Sequence, residues 1–190
     1  MVIVRKEKFN SEKSIQYISD KAEKTENKSG MEDLKLGAAI DIGTTSIAVG
    51  LFDMENEVLL GNLTQTNCQT KFGSDVMMRI MHCTNGKEQL LHDMLIEQIE
   101  NIITVIIEQN ISEKYKSYVV ERMTVVGNTT MCHIFLNRDV TGLSGAPFSM
   151  AYKGIANVNS QEAGFKIYNI SEIIVLPNIH SHVGADAMSV

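Results

Sequence analysis

The sequence predicts an α/β protein with a mixed sheet, and three observations indicate it. Three short apolar segments joined by tight turns occupy residues 36–64. A long segment over 87–110 has apolar residues at helical spacing. A further short apolar segment, 123–126, ends at a Gly-Asn pair before another helix-like stretch. Strands alternating with helices are typical of α/β folds, so the predicted order is β-β-β-α-β-α.

The first three segments are predicted to form an antiparallel meander, because only short turns separate them. The first is nearly continuously apolar, which is typical of a strand buried on both faces. Its end, Gly43-Thr44-Thr45, breaks the pattern before the second strand. The predicted strands are Leu36–Ile42, Ile47–Asp53 and Val58–Thr64.

Two helices are predicted next. Asp75–Cys83 is a short candidate, and Lys87–Asn110 is the stronger one, with apolar side chains every three or four residues. Asn85 is placed to cap the long helix, with Glu88 as its capping-box partner.

The remaining elements are shorter. We expect a strand at Met123–Val126, a helix at Thr129–Leu136, loops over 141–164, one or two strands within Phe165–Leu176 and a helix starting at Gly184–Val190. This order describes the ribonuclease-H-like half-domain from which actin-like ATPases are built in pairs.

Composition excludes several classes of protein. The net charge of -6 disfavours a nucleic-acid or anionic-membrane partner. No apolar run is long enough to span a bilayer, and the three cysteines lack CxxC spacing. We therefore expect a cytoplasmic protein with free thiols and no iron–sulfur cluster in this chain. Residues 1–35 are rich in charge and predict a flexible tail or linker.

The segment around Asp41 is the strongest candidate for chemistry. A predicted strand ends there, Gly43 permits a sharp turn, and Thr44 and Thr45 add hydroxyl and backbone N–H groups that can converge on phosphate. Asp41 is placed to hold Mg²⁺ through water, because that cation prefers oxygen ligands. The alternative is a plain β-hairpin with a surface acid.

A second candidate follows the fourth predicted strand. Gly127 and Asn128 come directly after it, and Thr129 begins the next helix. Ligands bind at such strand ends in α/β sheets. A simple strand-to-helix turn explains the same residues equally well.

Two further segments have weaker patterns. Asp75 and Arg79 are four residues apart, which predicts an ion pair on a helix face; the alternative is that one of them faces a cleft as a water-positioning acid or a phosphate contact. His180 and His182 lack an evident third metal ligand, so we expect solvated side chains. No Walker-A sequence and no GxGxxG after the first strand are present.

Together the segments resemble one family, the ASKHA-domain reductive activators of corrinoid proteins. AIDIGTTSIAVGLFD, NCQTKFGSDVMMRI, VVGNTTM, SGAPF and LPNIHSHVGADA occur here in the order and at the spacing of that family. The resemblance covers about residues 36–190 and implies ATP binding and hydrolysis coupled to reduction of a Co(II) corrinoid. The implied partner is a corrinoid protein or corrinoid-dependent methyltransferase.

The resemblance also implies roles for particular residues. Asp41, Gly43, Thr44 and Thr45 would form the phosphate loop, with Asp41 as the acid associated with Mg²⁺. The other residues implied at the nucleotide cleft or the interdomain helix are Gly127, Asn128, Thr129, Gly184, Ala185 and Asp186. Asp75 is a candidate catalytic base.

The sequence departs from the pattern of this family in two ways. The family's N-terminal ferredoxin-like cysteines are missing, and the chain stops where relatives continue into a second lobe. We therefore expect residues 36–190 to be the first lobe, truncated at the interdomain helix and weakly active or inactive alone, with a second lobe or a homodimer as partner. The alternatives are a small-molecule kinase of the same superfamily and a docking module without turnover.

Overall fold

The computed structural model describes residues 34–111, 115 and 117–176. The predicted tail, apart from its last two residues, lies outside this part of the chain. So do the predicted interdomain helix and its residues Gly184, Ala185 and Asp186, and the pair His180 and His182.

Six strands form one mixed sheet in the order β3-β2-β1-β4-β6-β5. β2 pairs antiparallel with both β1 and β3, which confirms the predicted meander. β4 runs parallel to β1 and β6 runs parallel to β4, whereas β5 is antiparallel to β6. The strands are β1 (Leu34–Ile42), β2 (Ser46–Asp53), β3 (Val58–Thr66), β4 (Tyr118–Gly127), β5 (Ala156–Val158) and β6 (Glu172–Val175).

The sheet is covered on one face only in the described part of the chain. Alternate side chains of β1, such as Leu36, Ile40 and Ile42, are buried, whereas Ala39 and Asp41 between them are exposed. The expectation that this strand is buried on both faces is therefore wrong. The apolar run is continuous up to Asp41 because Gly37 and Ala39, rather than polar residues, precede Asp41 on the uncovered face.

Among the described residues three α-helices accompany the sheet: α1 (Val76–His82), α2 (Glu88–Asn110) and α3 (Thr129–Phe135). α2 confirms the long predicted helix, and it packs its isoleucine-rich face against β2 and β3. The predicted cap is wrong, because Asn85 lies inside a kinked helical connection, Cys83–Lys87, that joins α1 directly to α2. Gly86 has a φ of 79° in that kink, which lets the chain turn without a conventional cap.

One of the two C-terminal strands differs from its predicted position. β5 falls in the stretch expected to be loop, whereas β6 (Glu172–Val175) lies within the range predicted to hold one or two strands and occupies only its end. The backbone N–H groups of Lys166 and Ile167 bind Oε1 of the buried Glu100 at 2.7 and 2.6 Å, so they are not available to a strand ladder. The side chain of Glu100, which is remote in sequence, thus determines the local conformation at Lys166 and Ile167.

No helix among residues 34–111, 115 and 117–176 is both long enough and apolar enough to cross a bilayer.

Candidate functional site

The two predicted turns meet at one edge of the sheet. β1 and β4 are parallel neighbours, and Ile42 at the end of β1 pairs with Gly127 at the end of β4. A Cβ on Gly127 would lie 2.7 Å from the Ile42 carbonyl oxygen, and one on Gly43 would lie 2.7 Å from the Ser46 carbonyl oxygen. Both positions therefore require glycine because backbone approaches so closely.

The turn Gly43–Thr45 is held from behind by a separate segment of the chain. The Gly43 carbonyl accepts from Nδ2 of Asn67 at 2.8 Å, and the Thr45 carbonyl accepts from the backbone N–H of Asn67 at 2.8 Å. Between them, the Thr44 carbonyl accepts from Nη2 of Arg79 at 3.3 Å. Three consecutive carbonyl oxygens are thus drawn toward the protein.

The direction of these carbonyls fixes the direction of the neighbouring N–H groups. In a planar trans peptide the N–H of one residue points opposite to the C=O of the residue before it. The N–H groups of Thr44 and Thr45 therefore point away from Asn67 and Arg79. Within the described residues neither N–H has an acceptor. Adjacent outward backbone N–H groups of this kind form a concavity that suits an anion.

Asn128 connects the turn to the start of α3. Its Oδ1 accepts from the Met131 N–H at 3.0 Å and caps the helix, while its Nδ2 donates to Oγ1 of Thr44 at 3.0 Å. The neighbouring Thr129 is only 1% exposed, so its side chain lies inside the protein. The structure therefore brings the Asn128 side chain to the turn.

Asp41 lies on the uncovered face of the sheet near the same edge. Its neighbours across the sheet are Ala48 on β2 and Val126 on β4. The small side chains leave a shallow depression of about 300 Å³, lined by Asp41 together with Ala39, Ile40, Ala48, Val49, Gly50, Asn62, Thr64, Thr124 and Val126. An exposed carboxylate beside a turn with outward N–H groups is an oxygen ligand of the kind that hard divalent cations prefer.

The predicted Asp75–Arg79 ion pair is wrong. Asp75 is exposed and caps α1 by accepting from the Met78 N–H at 2.9 Å. Arg79 is completely buried and turns the other way, donating to the carbonyls of Gly73 and Thr44. Spacing of four residues allows a pair on a helix face, but here the two carbonyls attract the guanidinium instead.

Asn67 was not singled out from the sequence, and Arg79 was considered only as a helix-face partner of Asp75 or as a residue facing a cleft; both lie in the quoted NCQTKFGSDVMMRI segment. Asn67 is also completely buried, and its Oδ1 accepts from the Gln69 N–H at 2.9 Å. The signal that the sequence offered was the position of Arg79 directly before Ile80, which is buried on the short helix α1. Nothing in its spacing indicates a partner 35 residues earlier.

These features define a class of site: a glycine-containing turn at the carboxyl end of parallel strands, with outward N–H groups and an acid beside it. The family model described as "RACo middle region" matches residues 36–190, and the chain belongs to that family.

The similar proteins carry corrinoid-related names. Corrinoid activation enzyme RamQ of Eubacterium limosum is 30% identical over 156 residues, which are 81% of this chain and 26% of that protein. The [Co(II) methylated amine-specific corrinoid protein] reductase of Methanosarcina barkeri is 28% identical over 162 residues, covering 80% of this chain and 28% of that protein.

One solved structure has the same fold over most of the chain. It is the reductive activator for corrinoid,iron-sulfur protein, at 30% identity and a TM-score of 0.75, covering 84% of this chain and 26% of that one. The resemblance to corrinoid reductive activators, and the mixed α/β sheet, are confirmed. The chain spans about a quarter of the length of these relatives.

Proposed function

We propose that this chain is the phosphate-binding part of a protein that uses ATP to activate a corrinoid protein by reduction. The observation that carries the proposal is the turn Gly43–Thr45, whose carbonyls are all held from behind while the N–H groups of Thr44 and Thr45 point outward. The names of the relatives supply the corrinoid part of the proposal. The sheet order and the two converging turns support a ribonuclease-H-like half-domain of the actin-like ATPase type.

The described residues divide the work of binding. The N–H groups of Thr44 and Thr45 donate to phosphate oxygens, and Asn128 fixes the Thr44 hydroxyl that borders them. Asp41 would hold Mg²⁺ near this turn, because Mg²⁺ prefers oxygen ligands and needs few of them from the protein. The metal would neutralise phosphate charge when bound. Asp75, exposed at the start of α1, stays a candidate catalytic residue only.

The complete reaction needs groups beyond this chain. Hydrolysis consumes ATP and water and yields ADP and phosphate. The Co(II) corrinoid on the partner protein gains one electron from a separate donor, such as an iron–sulfur protein, and becomes Co(I). A second lobe would close over the nucleotide, and this chain would supply only the phosphate side of the cleft.

Calorimetric titration of the 190-residue chain tests the nucleotide part. We expect saturable binding of ATP that tightens when Mg²⁺ replaces EDTA. Asp41→Ala should remove the Mg²⁺-dependent gain and leave the EDTA value nearly unchanged, because the N–H groups remain. Thr44→Ala should weaken binding under both conditions, since the loop loses its contact with Asn128.

A matched control separates the site from general charge effects. Asp93→Ala removes an exposed acid of α2 that accepts only from Gln89 in the described structure, and it should bind ATP as the wild type does. Absence of saturable binding to the wild type at millimolar Mg-ATP would overturn the proposal. Equal behaviour of Asp41→Ala and Asp93→Ala would remove Asp41 from the metal site.

A further inference from the structure

The most unusual buried group in the described structure is the guanidinium of Arg79. Its side chain is 0% exposed, and it is the largest side chain that is fully buried. Its nitrogens reach the carbonyls of Gly73 and Thr44, while Nε has no hydrogen-bond partner. Within the part of the chain that the structure describes, the ion pair is Arg122–Glu172, and no carboxylate pairs with Arg79.

An unpaired buried cation destabilises a folded protein, because two neutral carbonyls do not replace the water that the guanidinium loses. Burial lowers the pKa of the Arg79 guanidinium, and the charge of Asp75 opposes that shift. Arginine nevertheless stays protonated. The position therefore carries a positive charge that the resting fold does not neutralise, which calls for a role other than stability.

The location of this charge indicates the role. Nη2 lies directly behind the Thr44 carbonyl, and the Thr45 N–H lies on the opposite side of the same peptide. An anion accepting from that N–H would be about 8 Å from the guanidinium, by ordinary peptide and hydrogen-bond dimensions. Much of that path runs through protein rather than water, so the attraction is only partly screened.

The second carbonyl explains why an arginine is required. Gly73 has a φ of 120°, a conformation that favours glycine, and a Cβ there would lie 2.3 Å from the Met78 Cβ. The Gly73 carbonyl accepts from Nη1 of Arg79 and anchors the guanidinium on one side, while Nη2 on the other side donates to the Thr44 carbonyl. Only a forked donor makes both contacts at once.

We propose that Arg79 is a positioning residue of the phosphate-binding turn, fixing the Thr44 carbonyl through its fork and placing a buried positive charge behind the outward N–H groups. This inference rests on the proposed function and identifies what holds the site open for a phosphate-bearing ligand. Arg79 itself does not touch the ligand, because its side chain is completely buried.

Nuclear magnetic resonance on the ¹⁵N-labelled 190-residue chain tests the proposal directly. Inorganic tripolyphosphate and Mg-ATP are the probes, and the amide signals of Thr44 and Thr45 are the readout. In the wild type both amides should shift saturably. In Arg79→Met, half-maximal shifts should need at least about tenfold more ligand, because the variant loses a charged hydrogen-bond donor together with its positive charge.

The control is Arg122→Met, which removes the same charge from an exposed position. Arg122 lies five residues before Gly127 on β4, about 16 Å from the turn at the usual rise of a strand. The affinity of the Arg122→Met variant for tripolyphosphate and Mg-ATP should equal that of the wild type. Thermal unfolding of both variants accompanies the titrations, because exchanging a buried charge for an apolar group of similar size is often neutral for stability.

Arg79→Lys keeps the test decisive if the methionine variant does not fold. Lysine retains the charge, but its ammonium cannot bridge both carbonyls, so affinity should fall between wild type and methionine. A folded Met or Lys variant with wild-type affinity overturns the proposal while leaving the proposed function intact. Unresponsive Thr44 and Thr45 amides in the wild type would overturn the proposed function as well.

Discussion

At the scale of single residues, the shape of the candidate site depends on partners that are remote in sequence. Asn67 lies 24 residues from Gly43, Arg79 lies 35 residues from Thr44, and Asn128 lies 84 residues from Thr44. Each uses one set of atoms for the turn and another for its own local structure. The two functions of such a side chain can therefore be separated by substitution.

Asn128 allows that separation. Asn128→Ala removes the cap of α3 and should cost about 1 kcal/mol of stability. Asn128→Asp keeps an oxygen for the Met131 N–H, so stability should change little, but it exchanges the donor to Thr44 for a negative charge beside the anion site. We expect phosphate affinity to fall in both variants and further in Asn128→Asp. Urea unfolding and tripolyphosphate titration measure the two effects.

The outcome that would contradict this prediction is specific. If Asn128→Asp bound tripolyphosphate as tightly as the wild type, Asn128 would belong to the helix alone. Asn159→Ala serves as the control, because Asn159 Oδ1 accepts from the Glu162 N–H at 3.0 Å in a local turn and makes no contact with the phosphate-binding turn in the described structure. It should lose a similar stability without a loss of phosphate affinity.

How much of this site the sequence predicts depends on the kind of information each residue needs. Gly43 and Gly127 follow predicted strands, and the parallel pairing of those strands brings both turns together. The direction of the Arg79 side chain could not be predicted, because it depends on two carbonyls that tertiary structure supplies. The local rule of ion pairs at four-residue spacing gave Asp75 instead.

At the scale of elements, α3 illustrates how a short helix is fixed in place. All seven of its residues are buried, including His133. His133 Nδ1 lies 2.7 Å from the Thr129 carbonyl, and Nε2 lies 3.2 Å from the Ala151 nitrogen. Because the Ala151 N–H can donate only to an unprotonated nitrogen, the ring is neutral with its hydrogen on Nδ1. His133 thereby ties α3 to the segment around Ala151.

This tie should make stability depend on pH. Burial lowers the pKa of His133 below its ordinary 6.5, although its bond to Thr129 and the charge of Asp139 oppose the shift. The unfolded chain therefore takes up a proton at a higher pH than the folded chain does. The stabilisation is complete above pH 6.5 and decreases as the pH falls through 6.5 toward the folded-state pKa.

Urea unfolding at several pH values between about 8 and 5 measures the effect, because histidine changes its charge in this range. His133→Gln should lose part of the decrease in stability with acidification, since glutamine does not titrate there. His92→Gln is the comparison for the loss of a buried imidazole, because that ring also lies inside the protein and contacts a backbone carbonyl, that of Ile134. An unchanged pH slope in His133→Gln would contradict the assignment.

How well the sequence predicts an element depends on how regularly its apolar residues repeat and on how long the element is. The apolar residues of α2 repeat at three- and four-residue steps, and the segments of β1–β3 are apolar runs separated by tight turns, so the types of these elements could be predicted. β5 has three residues and β6 has four, too few for a period. The first half of β4 was missed because Glu121 and Arg122 interrupt its apolar residues.

At the scale of the whole molecule, the sheet of the described residues has one covered face and one open face. The core lies on the side of α2, and the open side carries Asp41 and a shallow depression. From the sequence alone this asymmetry was hidden, because alanine and glycine on the open face continue the apolar run of β1. The arrangement predicts opposite responses at adjacent residues of the same strand.

Ala38 and Ala39 test the arrangement, because they lie next to each other on β1 and point to opposite faces. Ala38 is 5% exposed and belongs to the core, so Ala38→Leu should overpack it and cost about 1–3 kcal/mol. Ala39 faces the open depression between Gly50 and Thr124, so Ala39→Leu should change stability by no more than about 0.5 kcal/mol. Urea unfolding at two protein concentrations measures both. A large, concentration-dependent loss in Ala39→Leu would mean that a second copy covers this face in solution, and the phosphate turn at its edge would then lie at an interface.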